Sequence, residues 1–335
     1  MLASVIIVNY NGCRFLSTCL SAALSQQLTG PFEVLLVDNG SQDDSVSLVR
    51  RQFPAVRVIL AGRNLGFAGG NNLGMAAATG RYLVLLNNDT RVRPGWLEAL
   101  VQAAERTPSA GAIAAKILFM DPADTVQNAG SLLLSDGSGA DRGFREPDRG
   151  QYDQEEEVFG ACGASVLYRR NMLEDVGVFD ETFFMYYEDT DLNWRMRLRG
   201  WSIVYAPAAV VDHVHAGSSR EWSPFFTFHV DRNRLFMLIK NASAGMVIRS
   251  LTTFARLSLE NAMRAAGRRL RPHQRQDGPP AGSGARARIH LHVVASIARH
   301  LPEMVLKRVR IRRRRRVPDV AIERWFFPRE QWIAR

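Results

Sequence analysis

The sequence predicts an α/β fold with a mostly parallel central sheet flanked by helices, followed by a basic helical extension at the C-terminus. Three observations carry that reading. Short apolar runs alternate with helical stretches through the first 120 residues, each apolar run ends in Asn, Asp or Gly, and charge is segregated toward the C-terminus. The chain has 335 residues, 46% hydrophobic and 23% charged, which suits a globular enzyme and excludes disordered and fibrous classes. Cys13, Cys19 and Cys162 have no CxxC spacing, so neither a disulfide framework nor a zinc knuckle is indicated, and a reducing compartment fits.

Taken in order, Ser4–Val8 reads as a strand, Arg14–Gln26 as a helix, Glu33–Val37 as a strand and Ser45–Gln52 as a helix. Val56–Leu60 is a third strand, Gly69–Ala78 a helix and Tyr82–Leu86 a fourth strand. Strands rich in Val, Ile and Leu, separated by amphipathic helices, belong to a parallel sheet covered on both faces. The first apolar run has no basic region ahead of it, so it reads as a strand and not as a secretory signal. No uncharged apolar run approaches the roughly 18 residues of a membrane span, which predicts a cytoplasmic protein.

The net charge of +10 is unevenly placed. Residues 249–316 hold 18 Lys and Arg against 3 Asp and Glu, whereas residues 1–248 hold 22 against 27. We therefore expect a catalytic domain over 1–240 and a basic amphipathic helical region over 241–335, with a Gly/Pro/Ser-rich linker near 274–288. Arginines interleaved with apolar residues at helical spacing fit an anionic membrane surface. The run Arg312–Arg316 lacks aromatic interleaving, so no nucleic-acid partner is expected. The oligomeric state is left open.

In a parallel α/β sheet, ligands bind beyond the carboxyl ends of the strands. Those ends carry Asn9-Tyr10-Asn11-Gly12, Asp38-Asn39-Gly40-Ser41, Asn64 with Gly66, Gly69, Gly70 and Asn72, and Asn87-Asn88-Asp89-Thr90. Each is an ordinary set of turn residues by itself; four at one edge indicate a ligand site. Further along, Glu188-Asp189-Thr190-Asp191 opens a helix beside Phe183, Phe184, Tyr186 and Tyr187. Helix capping accounts for one acid there, not three, and an ionised carboxylate in such a cluster can act as a general base. Asp212-His213-Val214-His215 closes a strand-like run and offers metal ligands.

These motifs, with Gly160–Arg170 and Gly177–Trp201, make the chain resemble the inverting family 2 glycosyltransferases of GT-A fold, in particular the bacterial rhamnosyltransferase-like branch. The ordered set spans about two thirds of the chain. The resemblance implies that Asp38 bonds the pyrimidine of a dTDP- or UDP-sugar. It implies that the loop of Asn64, Gly66, Gly69 and Gly70 lets backbone approach the nucleotide, with Asn9 and Asn72 nearby. Asn87-Asn88-Asp89 stands where the family has its metal-binding DxD. Asp89 would then bind Mg²⁺ or Mn²⁺ while Asn87 and Asn88 contact ribose or sugar. His213 would be a further metal ligand, with His215 the second candidate.

By the same resemblance, Asp189 is the catalytic base, Glu188 orients it, and Trp194 and Arg195 shape the acceptor side. The implied reaction moves a sugar, rhamnose from dTDP-rhamnose, to a polysaccharide or lipid-linked glycan at the inner face of the cytoplasmic membrane. Two alternatives stand beside it. A nucleotidyltransferase would want basic residues gripping a triphosphate near the first strand, and Asn9–Cys13 has none. A non-catalytic sugar-binding protein would have been favoured by loss of Asp89 or Asp189.

Overall fold

The computed structural model describes residues 1–214, 222–270 and 283–333. His215 and residues 274–282 of the expected linker lie outside them. The chain forms two compact units, one of Met1–Ser218 with Arg315–Arg335 and one of Ser219–Arg314.

In the first unit β1 (Ala3–Asn9), α1 (Cys13–Leu24), β2 (Phe32–Asp38), α2 (Ser45–Gln52), β3 (Arg57–Leu60), α3 (Gly66–Ala77) and β4 (Tyr82–Asn87) follow the alternation read from the sequence. Then come β5 (Thr90–Val92), α4 (Trp96–Arg106), β6 (Ala110–Phe119), β7 (Val126–Asn128), β8 (Ser131–Leu134), β9 (Gly139–Asp141) and β10 (Glu156–Glu157). They are followed by β11 (Ser165–Arg169), α5 (Arg170–Val176), α6 (Glu188–Leu198) and β12 (Ser202–His213).

The main sheet runs β10-β12-β6-β11-β4-β1-β2-β3. β1 pairs in parallel with β2 and β4, and β2 with β3. Their carboxyl ends therefore share one edge, which is where Asn9, Asp38 and Asn87 stand. β11 lies antiparallel between β4 and β6, a reversal that apolar patterning cannot announce because it reports burial and not direction. The pleat divides the core. Val5 and Ile7 pack with Leu16, Leu20, Trp96 and Leu100 on one face, and Ile6 packs with Ala68, Met75 and Met196 on the other.

The second unit holds α7 (Pro224–Asn241), α8 (Ala244–Leu270) and α9 (Ser283–Arg314). It begins ahead of α7, not at the 240/241 boundary drawn from composition, because Leu235 of α7 shares a core with Phe254 of α8 and Val293 of α9. Ser223 caps α7, its Oγ accepting from the Phe226 N–H at 3.1 Å, with Pro224 just inside. Residues 283–288, expected in the linker, open α9 instead. Part of the basic charge is used internally: Arg308 Nη1 donates to the Ile239 and Ala242 carbonyls at 2.8 Å, and Arg312 Nη2 to the Asn241 carbonyl at 3.0 Å. These are the orphan acceptors at the end of α7. The chain then rejoins the first unit through α10 (Asp319–Glu323), β13 (Phe326–Phe327) and α11 (Arg329–Ile333).

Candidate active site

The strand ends form one hydrogen-bonded edge. Asn88 Nδ2 donates to Asn9 Oδ1 at 2.7 Å, and Asn9 Nδ2 donates to Ser41 Oγ at 3.2 Å. Asp38 Oδ2 accepts from the Ser41 N–H at 3.1 Å, while its buried Oδ1 has no partner. A buried acceptor without a donor is costly, so this carboxylate suits an incoming N–H such as that of a pyrimidine imide.

The neighbouring loop does a different job from the one expected. Asn39, which the sequence reading passed over, donates from Nδ2 to Asn64 Oδ1 at 3.1 Å and to the Gly66 carbonyl at 3.0 Å, and accepts from the Leu65 N–H at 3.0 Å. Asn64 Oδ1 also accepts from the Gly66 N–H at 2.8 Å. Asn64 thus shapes its own turn. A Cβ at Gly69 would fall 2.8 Å from Leu65 Cβ, and one at Gly70 would fall 2.7 Å from Val8 Cγ1. Gly66, at φ +72°, faces the Phe184 carbonyl oxygen. These glycines let α3 lie close on the protein itself. Asn72 is engaged likewise: its Nδ2 donates to the Phe179 carbonyl at 2.9 Å and to Glu181 at 3.0 Å, and its Oδ1 accepts from the Phe179 N–H at 3.1 Å.

A second cluster forms where β5 pairs antiparallel with β12, Thr90 opposite His213. This register brings Asp89 against His213, with Asp89 Oδ1 3.1 Å from Nε2. Gln127 Oε1 lies 2.9 Å from His213 Nδ1 and accepts its proton. The same Nε2 lies 3.4 Å from Asn87 Nδ2. A carboxylate and an imidazole in reach of one another are a fitting donor pair for a hard divalent ion, with Gln127 holding the ring's other nitrogen. Among the described residues no three His, Cys, Asp or Glu side chains converge on one point, so such an ion would take its other ligands from a bound substrate. Gln127 sits 86 residues from His213 and gave no signal in the sequence.

The third cluster is the start of α6. Tyr186 and Tyr187 both hold positive φ, 70° and 69°, a strained approach of the kind retained at functional sites. Asp189 Oδ2 accepts from the Gly163 N–H at 3.0 Å, and Oδ1 accepts from the Thr190 N–H at 2.6 Å and Thr190 Oγ at 3.1 Å. Burial raises its pKa above the ordinary aspartate value, with these donors pulling the other way. Glu188 is more deeply buried, and its Oε2 has no partner. Burial and the adjacent Asp189 push its pKa well above the ordinary glutamate value. Glu188, with the deeper burial and no hydrogen-bond donor on Oε2, is therefore pushed further up than Asp189, whose donors oppose the shift.

Cys162–Ala164 joins the two clusters, since the Ala164 carbonyl accepts from the Asn87 N–H at 2.9 Å and Gly163 bonds Asp189. Burial, with Asp141 and Asp189 nearby, pushes the Cys162 thiol well up, so it stays protonated. Trp194 and Arg195 do not line this site. Trp194 is buried at 2% exposure, edge-on to Phe159 at 6.4 Å. Arg195 Nε donates to fully buried Asp191 at 2.8 Å, and its other nitrogens donate to the Val176 and Val178 carbonyls at 3.1 and 2.8 Å. Both point inward because α6 is buried nearly all round, every residue but Asp189 being covered.

The central, mostly parallel sheet flanked by helices is the GT-A fold of glycosyltransferases. The chain belongs to glycosyl transferase family 2, whose profile matches residues 4–177, and to its rhamnosyltransferase-like branch. It is 35% identical over 238 residues to the N-acetylglucosaminyl-diphospho-decaprenol L-rhamnosyltransferase of Mycobacterium tuberculosis, covering 64% of this chain and 76% of that protein. Its fold is similar to that of GalNAc-T7 with UDP, GalNAc and Mn²⁺, at TM-score 0.56 and 14% identity, over 71% of this chain and 50% of that one. It is also similar to mannosyltransferase PcManGT from Pyrobaculum calidifontis with GDP-Man and Mn²⁺, at TM-score 0.50 and 15% identity, over 89% and 86%.

Proposed function

We propose that this glycosyltransferase is an inverting, metal-dependent enzyme of cell-envelope glycan synthesis. It transfers rhamnose from dTDP-rhamnose to a hydroxyl of a lipid-linked glycan. The observation that carries the reading is the joining of the Asp89–His213 pair to Asp189 through Cys162–Ala164. The rhamnosyltransferase named above supports the sugar and the lipid-diphosphate acceptor.

Asp38 Oδ1 accepts the N–H of the base, and Asn87 and Asn88 meet the ribose or sugar. Asp89 and His213 would hold Mg²⁺ or Mn²⁺, whose charge stabilises the departing nucleoside diphosphate. Asp189 takes the proton of the acceptor hydroxyl, whose oxygen forms the new bond to the anomeric carbon as the opposite bond to the diphosphate breaks. One displacement of this kind inverts configuration and needs no covalent intermediate. Glu188 lies beside the base, and burial and the adjacent Asp189 push its pKa up, which disfavours a second negative charge there.

The enzyme works at an anionic membrane surface. Among the described residues no helix is long and apolar enough to cross a membrane. α9 packs through Val293 and Met304, while Leu291, Val294, Leu301, Val305 and Val309 of the same helix are exposed. Arg288, Arg299, Arg310 and Arg313 are exposed on the same helix, against a single acid, Glu303. A second copy of so basic a face would be repelled, whereas anionic lipid attracts each arginine by about 1 kcal/mol.

The test is the melting temperature with dTDP, UDP, GDP and ATP, each with and without Mn²⁺, since a ligand of the folded state raises it. A Mn²⁺-dependent rise with dTDP is expected, and a preference for ATP would favour a nucleotidyltransferase. Flotation with vesicles of phosphatidylglycerol and of phosphatidylcholine tests the surface. Binding to neither, or to both alike, overturns it.

A further inference from the structure

We infer that the segment beyond Arg314 is a strap that holds the helix carrying the base and the β8–β9 hairpin in fixed relation, making Trp325 and Phe326 positioning residues for glycosyl transfer. The inference rests on Asp189 being the base.

The strap grips α6 at three points. The Arg316 and Val317 N–H groups both donate to the Leu198 carbonyl, at 2.8 and 3.1 Å, satisfying an acceptor that the helix end leaves open. Further on, Phe326 meets Trp194 of α6 edge-on, ring centroids 6.2 Å apart at 75°. Between these points Trp325 lies against Arg197, whose guanidinium carbon is 4.1 Å from the ring centroid. Arg197 is the same side chain whose Nε donates to the Phe159 carbonyl at 3.2 Å. The apolar and aromatic character of Trp194, unused by a cleft, is explained by this partner.

The strap also extends a sheet. Phe326 and Phe327 pair in parallel with Leu133 and Leu134 of β8, and the Ser135 N–H donates to the Phe327 carbonyl at 2.9 Å. Arg329 and Asp136 close the turn with an ion pair at 3.3 Å. β8 is paired with β9, and β9 reaches the base. The Gly139 N–H donates to Tyr187 Oη at 3.3 Å, and a Cβ on Gly139 would lie 3.4 Å from Thr190 Oγ1. Tyr187 and Thr190 flank the Glu188–Asp189 pair, and Thr190 donates twice to Asp189 Oδ1. A continuous set of contacts thus runs from Phe327 to the carboxylate that takes the proton, and small displacements of a catalytic group are expensive in rate.

The test uses the full chain with Phe326→Ala and Trp325→Ala, and with Phe326→Tyr and Trp325→Phe as conservative variants that keep the ring contacts. Amide hydrogen exchange reads the structure independently of activity. Residues 131–141 and 187–191 are expected to lose protection in the Ala variants, while β1 and β2 keep theirs. With dTDP-rhamnose and N-acetylglucosaminyl-diphospho-decaprenol as substrates, kcat is expected to fall about tenfold while the affinity for dTDP with Mn²⁺ stays within about twofold. The conservative variants should restore kcat. Unchanged exchange at 131–141 and 187–191, unchanged kcat, or a loss of dTDP affinity in step with kcat would each overturn the strap. If the Ala variants do not fold, Phe326→Leu, which keeps apolar bulk without the ring edge, is read by the same criteria. A wild-type enzyme inactive on these substrates would count against the proposed reaction, and the exchange result would still decide the strap's mechanical part.

Discussion

The strand-end edge proposed to meet the nucleotide and the helix carrying the proposed base are built in opposite ways. The edge gathers Asn9, Asp38 and Asn88 from β1, β2 and the turn after β4, three consecutive parallel segments whose register aligns their ends. The base helix is supported from far away in the chain: Gly163 on Asp189, the β8–β9 hairpin on Tyr187, and residues 316–329 on α6 and β8. The first arrangement follows from a repeated local pattern. The second depends on which distant segments meet, so its residues carry function by position and not by local motif.

Separability of the two regions is the point to break. The largest effect is expected for Asp189→Asn, which keeps the shape and removes the base. Turnover should fall by about a thousandfold while dTDP binding in the presence of Mn²⁺ changes little, as read by single-turnover kinetics and calorimetry. Loss of both together would mean that the edge and the helix act as one site. In the wild type the base must be ionised, so the rate should decline as pH falls through the Asp189 pKa, on an acid limb lying above the ordinary value of 3.8. Asp189→Asn should abolish that limb.

Arg195→Met comes next and addresses stability. It would remove the Arg195 guanidinium that pairs with Asp191, itself at 0% exposure, a change expected to cost up to about 3–5 kcal/mol in chemical denaturation. Acceptor KM in the folded fraction should stay near wild type; a selective rise there would return Arg195 to the acceptor cleft. The smallest effect is expected for Gln127→Leu. Removing the group that accepts the His213 Nδ1 proton should weaken Mn²⁺-dependent nucleotide binding by about 10- to 100-fold and leave metal-free nucleotide binding unchanged.

Much of the nucleotide edge was legible in advance, because β-branched runs alternating with helices place their terminal polar residues at one side whatever else the fold does. Asp89 stood out as the one acid at the end of its strand, and Asp189 as one of three acids that helix capping did not account for. Other readings carried less than the fold supplies. Gly66, Gly69, Gly70 and Asn72, read as ligand-contacting residues, have an intramolecular part in packing α3, since a small residue answers equally to a close ligand and a close neighbour. Trp194 and Arg195 lie in the core because α6 is covered on every side, which its sequence spacing does not announce. Asn39 and Gln127 were missed because an amide in a turn or a short strand has no distinctive spacing.

By itself, then, the sequence determined the parallel α/β frame, the edge at which ligands are met and the segregation of basic charge, because these depend on local periodicity and composition. Only the tertiary structure decided the antiparallel insertion of β11, the Gln127–His213–Asp89 alignment and the return of residues 315–333 onto α6 and β8. Each of those is a pairing between segments far apart in the chain, fixed by burial and hydrogen-bond satisfaction that no local stretch encodes.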